Sequence, residues 1–254
     1  MTQNLTGKHA IVTGGGTGIG LAIAQAYAAA GAEVTITGRR ARVLEEVADG
    51  NPRMHPLVMD VADEVSVVDG TAAAVAARGP IAICIANAGI AEGRAIHKSS
   101  MDDWHKIMRT NLDGAFLTIR ESLRSMRHED WGRVIGISSI AGIRGLKGAA
   151  AYSASKHAVI GLIRSLAEDY MGRGITFNSI CPGFVATAII DKNIESITKR
   201  AGVTAEEALA MMVSENAHGK LIAPEEIAAA ALWLVGDGSQ SVNGQNIEIA
   251  GGHV

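Results

Sequence analysis

Seven short runs of strand length recur along this chain, and between most of them lie longer segments with the period of a helix. The runs are Ala10–Thr13, Glu33–Thr37, Pro56–Met59, Ile81–Ala86, Arg133–Ser138, Ile175–Ile180 and Asn246–Ile249. The helical segments include Ile19–Ala30, Val65–Ala77, Met101–Arg127, Ser153–Met171 and Pro224–Val235. The runs are continuously apolar rather than alternating, which predicts strands buried on both faces. Strand and helix in alternation, joined by right-handed crossovers, build a parallel sheet covered on both sides. The expected fold is α/β, a doubly wound parallel sheet with one strand for each of the seven runs. Ligands of such sheets bind at the carboxyl ends of the strands, where the strand order reverses. Reactive residues are therefore expected just after the runs.

Composition removes several classes of function. The net charge over 254 residues is only -3 and no block of like charge occurs, so neither nucleic acid nor an anionic membrane is an expected partner. The longest apolar runs, Ile81–Ile85 and Ile227–Val235, are too short to span a bilayer. Met1–Lys8 is polar and lacks the apolar stretch of a secretion signal. Cys84 and Cys181 each lie in an apolar segment, where buried free thiols are expected rather than a disulfide. The eight histidines are dispersed, without the spacing of metal ligands, so no metal is expected. These features describe a cytoplasmic protein of one domain, residues 1–254.

After the first run comes Thr13-Gly14-Gly15-Gly16-Thr17-Gly18-Ile19-Gly20, followed directly by a helical segment. Gly14 permits a tight turn, while Gly18 and Gly20 let backbone approach a pyrophosphate and let helix pack on strand. The helix N-terminus offers unpaired N–H groups and partial positive charge to phosphate. The spacing is Gly-x-x-x-Gly-x-Gly, which differs from the commoner Gly-x-Gly-x-x-Gly. The second run ends Thr37-Gly38-Arg39-Arg40, with arginines where an NAD site usually places a carboxylate for the adenosine ribose. A guanidinium pairs with a 2′-phosphate, whereas a carboxylate repels one, so NADP(H) is favoured and NAD(H) is the alternative. Asp60, before Val61, either accepts a hydrogen bond from an adenine amino group or caps a helix. Asn87 either meets the dinucleotide or braces neighbouring backbone, and Ala88-Gly89 leave room for a ligand across the strand ends.

Tyr152 and Lys156 are four apart in Tyr152-Ser153-Ala154-Ser155-Lys156, hence on one helix face. A free phenol has a pKa of about 10, and bringing it roughly three units down takes about 4 kcal/mol. A neighbouring ammonium favours the phenolate, and the positive charge of an oxidised nicotinamide would add to its effect. Ser139, thirteen residues earlier, follows the fifth run, and its hydroxyl can donate to a carbonyl oxygen as charge develops there.

Thr-Gly-x-x-x-Gly-x-Gly at Thr13–Gly20, Asn87-Ala88-Gly89, Ser139, Tyr-x-x-x-Lys at Tyr152–Lys156 and Pro182-Gly183 together resemble the short-chain dehydrogenase/reductase family, from about Lys8 to Gly252. The resemblance implies a single Rossmann-type domain, hydride transfer between a nicotinamide cofactor and a ketone or secondary alcohol, no metal, and a homotetramer. It makes Tyr152 the general acid in reduction and the general base in oxidation. Lys156 would hold the nicotinamide ribose and lower the Tyr152 pKa, Ser139 would orient the substrate oxygen, and Asn111 would hold a water linking the lysine to solvent. The implied cofactor contacts are Gly14, Gly16, Thr17, Gly18, Ile19, Gly20, Arg39, Asp60, Val61, Asn87, Ala88, Gly89, Tyr152, Lys156, Pro182 and Gly183. Val185 and Thr187 join them, near the carboxamide. Ala86 replaces a frequent Asn, Ala250 a frequent Asp, and Thr17 is neutral where many NADP(H)-using members are basic, so the cofactor choice rests on Arg39.

Residues 186–221 should form a helical lid, its inner side supplied by Ile189, Ile190, Ile194, Ile197, Met211 and Met212. The lid and the Ala223-Pro224-Glu225-Glu226-Ile227 after it are similar to bacterial members acting on 3-oxoacyl or 3-hydroxyacyl thioesters and short hydroxy acids. Arg144 and Lys147 either meet an acidic carrier or are solvated loop charges. The alternative function is a non-catalytic dinucleotide sensor, which has no need of Ser139, Tyr152 and Lys156 together. A sugar-nucleotide epimerase normally requires a longer chain.

Overall fold

The computed structural model describes residues 3–252, apart from the side chains at positions 192, 196 and 200. Its centre is a seven-stranded parallel sheet of β1 (His9–Thr13), β2 (Glu33–Gly38), β3 (Met54–Val58), β4 (Ile83–Ala86), β5 (Gly132–Ile137), β6 (Ile175–Pro182) and β7 (Asn246–Ile249), in the order β3-β2-β1-β4-β5-β6-β7. All seven sequence runs are strands. The order reverses between β1 and β4, which pair with Ile11 beside Cys84. Each inner strand sends alternate residues to opposite helix layers. On one face, Ala10 and Val12 of β1 pack with α1 (Gly18–Ala29) and α9 (Pro224–Leu234). On the other, Ile11 packs with Cys84, Val134 and Phe177 under α5 (Gly114–Met126) and α6 (Ala150–Asp169). Fully burying one such aliphatic side chain stabilises by about 1.5–3 kcal/mol. The Tyr27 hydroxyl donates to Ala231 O at 3.0 Å, so the α1–α9 layer also satisfies its one buried phenol.

The edges depart from the expectation of burial on both faces. In β3, Val58 is 56% exposed and Pro56 has no N–H to give a further neighbour. An outer strand has a partner on one side only, so its sequence need not be apolar throughout. The helix α2 (Ala41–Ala48) was not among the expected segments. It is only eight residues long, buries Leu44 alone and has no side-chain cap, so despite the helical spacing of Val43, Leu44 and Val47 nothing marks where it starts. The segment Met101–Arg127 is not one uninterrupted α-helix: α4 (Met101–Met108) runs into a π-helical turn at Arg109–Asp113 before α5 begins. Helix α3 (Glu64–Arg78) is capped by Asp63, whose carboxylate accepts from Val65 N and Ser66 N. Asp60 instead accepts from Ala62 N at 3.0 Å, a local turn, so the helix-cap reading of Asp60 is not met.

Two helices, α7 (Ala188–Ala201) and α8 (Ala205–Val213), occupy the expected lid segment. Ile190 and Met212 are buried and Ile194 and Ile197 partly so, whereas Ile189 is 46% and Met211 52% exposed. Successive helical residues are about 100° apart, so both members of Ile189-Ile190 and of Met211-Met212 cannot face inward. Among the described residues, no helix is long and apolar enough to cross a membrane.

Candidate active site

The turn after β1, as far as Thr17 at the N-cap of α1, forms one wall of a groove of about 640 Å³ over the carboxyl ends of the strands. Gly14 and Gly18 have φ of +66° and +54°, a backbone region that side chains rarely adopt. A Cβ on Gly14 would lie 2.9 Å from Asn87 Nδ2, and one on Gly18 would lie 3.0 Å from Thr187 Cγ2. Gly20 is closed in by Asn87 Nδ2 and Gly14 O. The glycines thus let β1, β4 and the segment after β6 converge. Gly14, Gly16, Thr17, Arg39, Asp60, Val61, Ala88 and Gly89 line the groove. Asn87 lies beneath it and braces the strand ends: its Nδ2 donates to Thr13 O at 2.8 Å and its N–H to Thr13 Oγ1 at 3.0 Å.

This groove fits a dinucleotide. The glycine cradle would be filled by side chains, and Thr17 at the α1 N-cap spends no side-chain hydrogen bond on the helix, leaving its first N–H groups to a phosphate. Thr37 Oγ1, buried at the end of β2, has no hydrogen-bond partner among the described residues. The far wall was not foreseen. It comes from α4 and the π-turn, with Asp102, His105, Lys106, Arg109 and Thr110. Nothing in that segment signals a ligand, because only the sheet order brings it opposite Arg39 and Arg40.

Ser139 follows β5, with its Oγ accepting from Ala141 N at 3.1 Å. Tyr152 and Lys156 lie in the first turns of α6. Lys156 is 5% exposed, and its Nζ donates to Ile137 O at 2.8 Å. A Cβ on Gly89 would sit 3.5 Å from Lys156 Nζ and 3.2 Å from Asn111 Oδ1, so lysine, asparagine and groove meet at this glycine. Asn111, buried in the π-turn, accepts from Ile90 N at 2.8 Å and donates to Ile90 O and Ser155 Oγ, each at 3.0 Å. Its amide holds the backbone after β4 against α6.

The electrostatics differ from the sequence expectation in one respect. The Tyr152 phenol is pushed up by burial, and a hydrogen bond with Ser139 pulls it partly back. Lys156 Nζ lies 5.8 Å from the Tyr152 ring centroid, with one hydrogen donated to Ile137 O. Burial brings Lys156 itself down to about 8. The chain alone therefore holds Tyr152 as a neutral phenol, the form that donates a proton.

Pro182 ends β6, and Gly183 N donates to Ile249 O at 2.8 Å. Val185 forms an isolated bridge with Ile222, and Thr187 is the N-cap of α7. Arg144 is not an unengaged loop charge: its Nη2 donates to Glu215 O at 3.2 Å and approaches the Glu215 carboxylate at 3.4 Å. His157 faces away from the groove, with Nδ1 hydrogen-bonded to Ser153 O.

A doubly wound parallel sheet, a glycine-walled groove at its switch point, and a buried Ser–Tyr–Lys set beside that groove define the class of nicotinamide-dependent oxidoreductases. The family model "short chain dehydrogenase" matches residues 8–197. The chain is 34% identical to the D-beta-hydroxybutyrate dehydrogenase of Rhizobium meliloti (strain 1021), over 96% of this chain and 98% of that protein. It is 33% identical to the 3-oxoacyl-[acyl-carrier-protein] reductase of Aquifex aeolicus (strain VF5), over 99% of both. A solved actinorhodin polyketide ketoreductase, a single-substitution variant with NADPH, superposes with a TM-score of 0.92 at 31% identity, covering 96% of each chain. The chain belongs to the short-chain dehydrogenase family. It is an NAD(P)-dependent oxidoreductase that interconverts CH–OH and C=O.

Proposed function

We propose that Tyr152 is the proton donor and acceptor of this reaction, that NADP(H) is the favoured cofactor with NAD(H) as the alternative, and that the substrate is a 3-oxoacyl or 3-hydroxyacyl thioester or a short hydroxy acid. The observation that carries the catalytic assignment is that Tyr152 meets the Ser139 side chain and lies 5.8 Å, ring centroid to Nζ, from buried Lys156, whose Nζ is itself beside Gly89 of the groove. Gly14, Gly16, Thr17, Gly18, Ile19 and Gly20 would hold the pyrophosphate, Asp60 and Val61 the adenine, and Ala88, Gly89, Pro182, Gly183, Val185 and Thr187 the nicotinamide half. Arg39 and Arg40 line the groove, and the sequence directly after β2 carries no acidic residue in their place to repel a 2′-phosphate.

In the reduction, Ser139 donates a hydrogen bond to the substrate carbonyl oxygen and holds it toward Tyr152. As hydride reaches the carbonyl carbon, the phenol proton passes to that oxygen, which leaves an alcohol and a phenolate. Lys156 stabilises the phenolate by its charge, and Asn111 fixes the backbone against which the lysine is packed. When bound, the nicotinamide supplies the hydride, and its oxidised ring adds the positive charge that eases proton removal from Tyr152 in the reverse direction.

The substrate class draws on the names of the relatives and on α7 and α8 standing next to Thr187 as a lid over residues 186–221. A cytoplasmic location is supported by the two free, buried thiols Cys84 and Cys181, which suit a reducing compartment. Self-association, which the family resemblance makes a homotetramer, is supported by an apolar groove between α5 and α6, where Ile119, Leu123, Leu162, Leu166 and Tyr170 are flanked by Arg120, Arg124 and Arg127 and Phe116 is 46% exposed.

The test is steady-state kinetics with NADPH and NADH over ketones and acyl thioesters, comparing the wild type with Tyr152→Phe. Removing one phenolic oxygen is expected to lower kcat by on the order of 10²–10⁴ while the dinucleotide Kd stays within a few-fold. Unchanged turnover in Tyr152→Phe would end the assignment. Dinucleotide binding without turnover of any carbonyl would favour the sensor.

A further inference from the structure

Asn216 is 1% exposed and lies at the far end of the lid segment, yet its amide is bonded to the backbone just after β6. Oδ1 accepts from Phe184 N at 2.9 Å, and Nδ2 donates to Phe184 O at 2.9 Å and to Lys220 O at 2.6 Å. A residue in a sheet offers a neighbouring strand the same donor–acceptor pair, so one side chain here does the work of a missing strand. The surrounding backbone completes the clasp. Ile222 N donates to Phe184 O at 3.0 Å, Ala186 N to Ile222 O at 2.9 Å, and Ala217 N to Ala250 O at 3.1 Å. Gly183 fits because a Cβ there would collide with Asn216 Oδ1. The two legs of the lid, leaving at Ala186 and returning at Asn216–Ile222, are thus fastened to each other at the end of β6.

We infer that Asn216 is a positioning residue for the nicotinamide end of the cofactor: it fixes the Gly183–Val185 backbone while taking no part in holding the adenosine half. The inference rests on the reading that places Pro182–Thr187 at the nicotinamide. Its physical basis is that Phe184 has both backbone groups engaged by one buried amide. An apolar residue at 216 leaves the Phe184 N–H, which has no other partner among the described residues, and part of two carbonyls unsatisfied in the interior, and the strand end must shift to reach water. The adjacent Glu215 is tied to the loop after Ser139 through Arg144, so a shift at 216 also moves the substrate side of the site.

The experiment measures two dissociation constants for each variant: that of the preferred reduced dinucleotide, NADPH or NADH, and that of its fragment lacking nicotinamide, 2′-phospho-ADP-ribose or ADP-ribose. Asn216→Ala is expected to weaken the whole dinucleotide by on the order of tenfold, which is about 1.4 kcal/mol, with the fragment within twofold of wild type. Asn216→Asp covers the case in which the alanine variant does not fold. Its carboxylate keeps the acceptor for Phe184 N but turns a negative oxygen toward two carbonyls, and protonation restores one donor. The dinucleotide is therefore expected to bind Asn216→Asp more tightly at pH 5 than at pH 8, relative to wild type. Equal weakening of dinucleotide and fragment, or no weakening of either with no pH dependence in the aspartate variant, overturns the inference. Thr187→Ala separates this failure from failure of the underlying reading. If Thr187→Ala weakens the dinucleotide selectively and the Asn216 variants do not, only the role of Asn216 falls. If none does, the nicotinamide assignment of the segment falls with it.

Discussion

At the scale of single residues, side chains of one type take different roles according to what surrounds them. Arg53 is spent on Glu33 and Gly31 O, and Arg133 on the carbonyls of Gly132 and Gly174. Arg39, by contrast, lines the groove at the end of β2, where the proposed function puts the adenosine ribose. A 2′-phosphate met by a guanidinium gains charge-assisted hydrogen bonds that a hydroxyl cannot replace. Arg39→Ala is therefore expected to raise the KM for NADPH by ten-fold or more, at about 1.4 kcal/mol per decade, and that for NADH far less. Steady-state titration of both cofactors checks this, and equal effects on the two would remove the phosphate role. Arg39 was legible in the sequence because it directly follows a recognisable strand. The groove-lining His105 and Arg109 were not, since they stand on a helix whose local pattern is that of any solvated helix face.

At the scale of elements, the β1–α1 turn is where local propensity and tertiary fit oppose each other. Gly20 lies inside α1, where replacing glycine by alanine would by itself stabilise by about 0.5–1 kcal/mol. A Cβ there meets Gly14 O and Asn87 Nδ2 at 2.5 Å, and the first of these is backbone that cannot swing aside. Overpacking of this kind costs about 1–3 kcal/mol, so the clash outweighs the propensity. Gly20→Ala should lower the urea midpoint and weaken dinucleotide binding, and a variant as stable as the wild type would show that the turn is looser than its contacts imply. The same opposition explains the interrupted helix around Asn111. A continuous α-helical period from Met101 to Arg127 was the natural reading. The extra residue in the π-turn accompanies an Asn111 side chain aimed at Ile90 and Ser155, contacts made by residues distant in sequence.

At the scale of the whole molecule, the sheet separates a reactive end from an opposite end that bears on stability. His9, 3% exposed at the start of β1, donates from Nδ1 to Gly79 O at 2.9 Å, and its Nε2 lies 2.9 Å from Thr35 Oγ1, which already accepts from Arg78 Nε. Burial lowers its pKa below 6.5, and Arg78 and His55 add to the effect against the opposing pull of Gly79 O and Glu33. The unfolded chain then takes up the proton first as pH falls, so this contribution to stability is present above about 6.5 and is lost below it. Thermal unfolding from pH 7 to pH 5 should show a falling Tm for the wild type and a flatter course for His9→Gln, and parallel curves would exclude His9 as the source. Glu33, held low by His55 and Arg53, acts below its ordinary value of 4.5, outside this window. The sequence by itself determined the seven strands, the glycine turn and the Ser139–Tyr152–Lys156 spacing, because those depend on burial period and local backbone, which neighbours in the chain specify. Only the tertiary structure decided the α4 wall of the groove, the raised phenol of Tyr152 and the clasp of Asn216 on Phe184. Each of these arises from groups tens of residues apart whose desolvation and hydrogen bonding exist only once the sheet has brought them together.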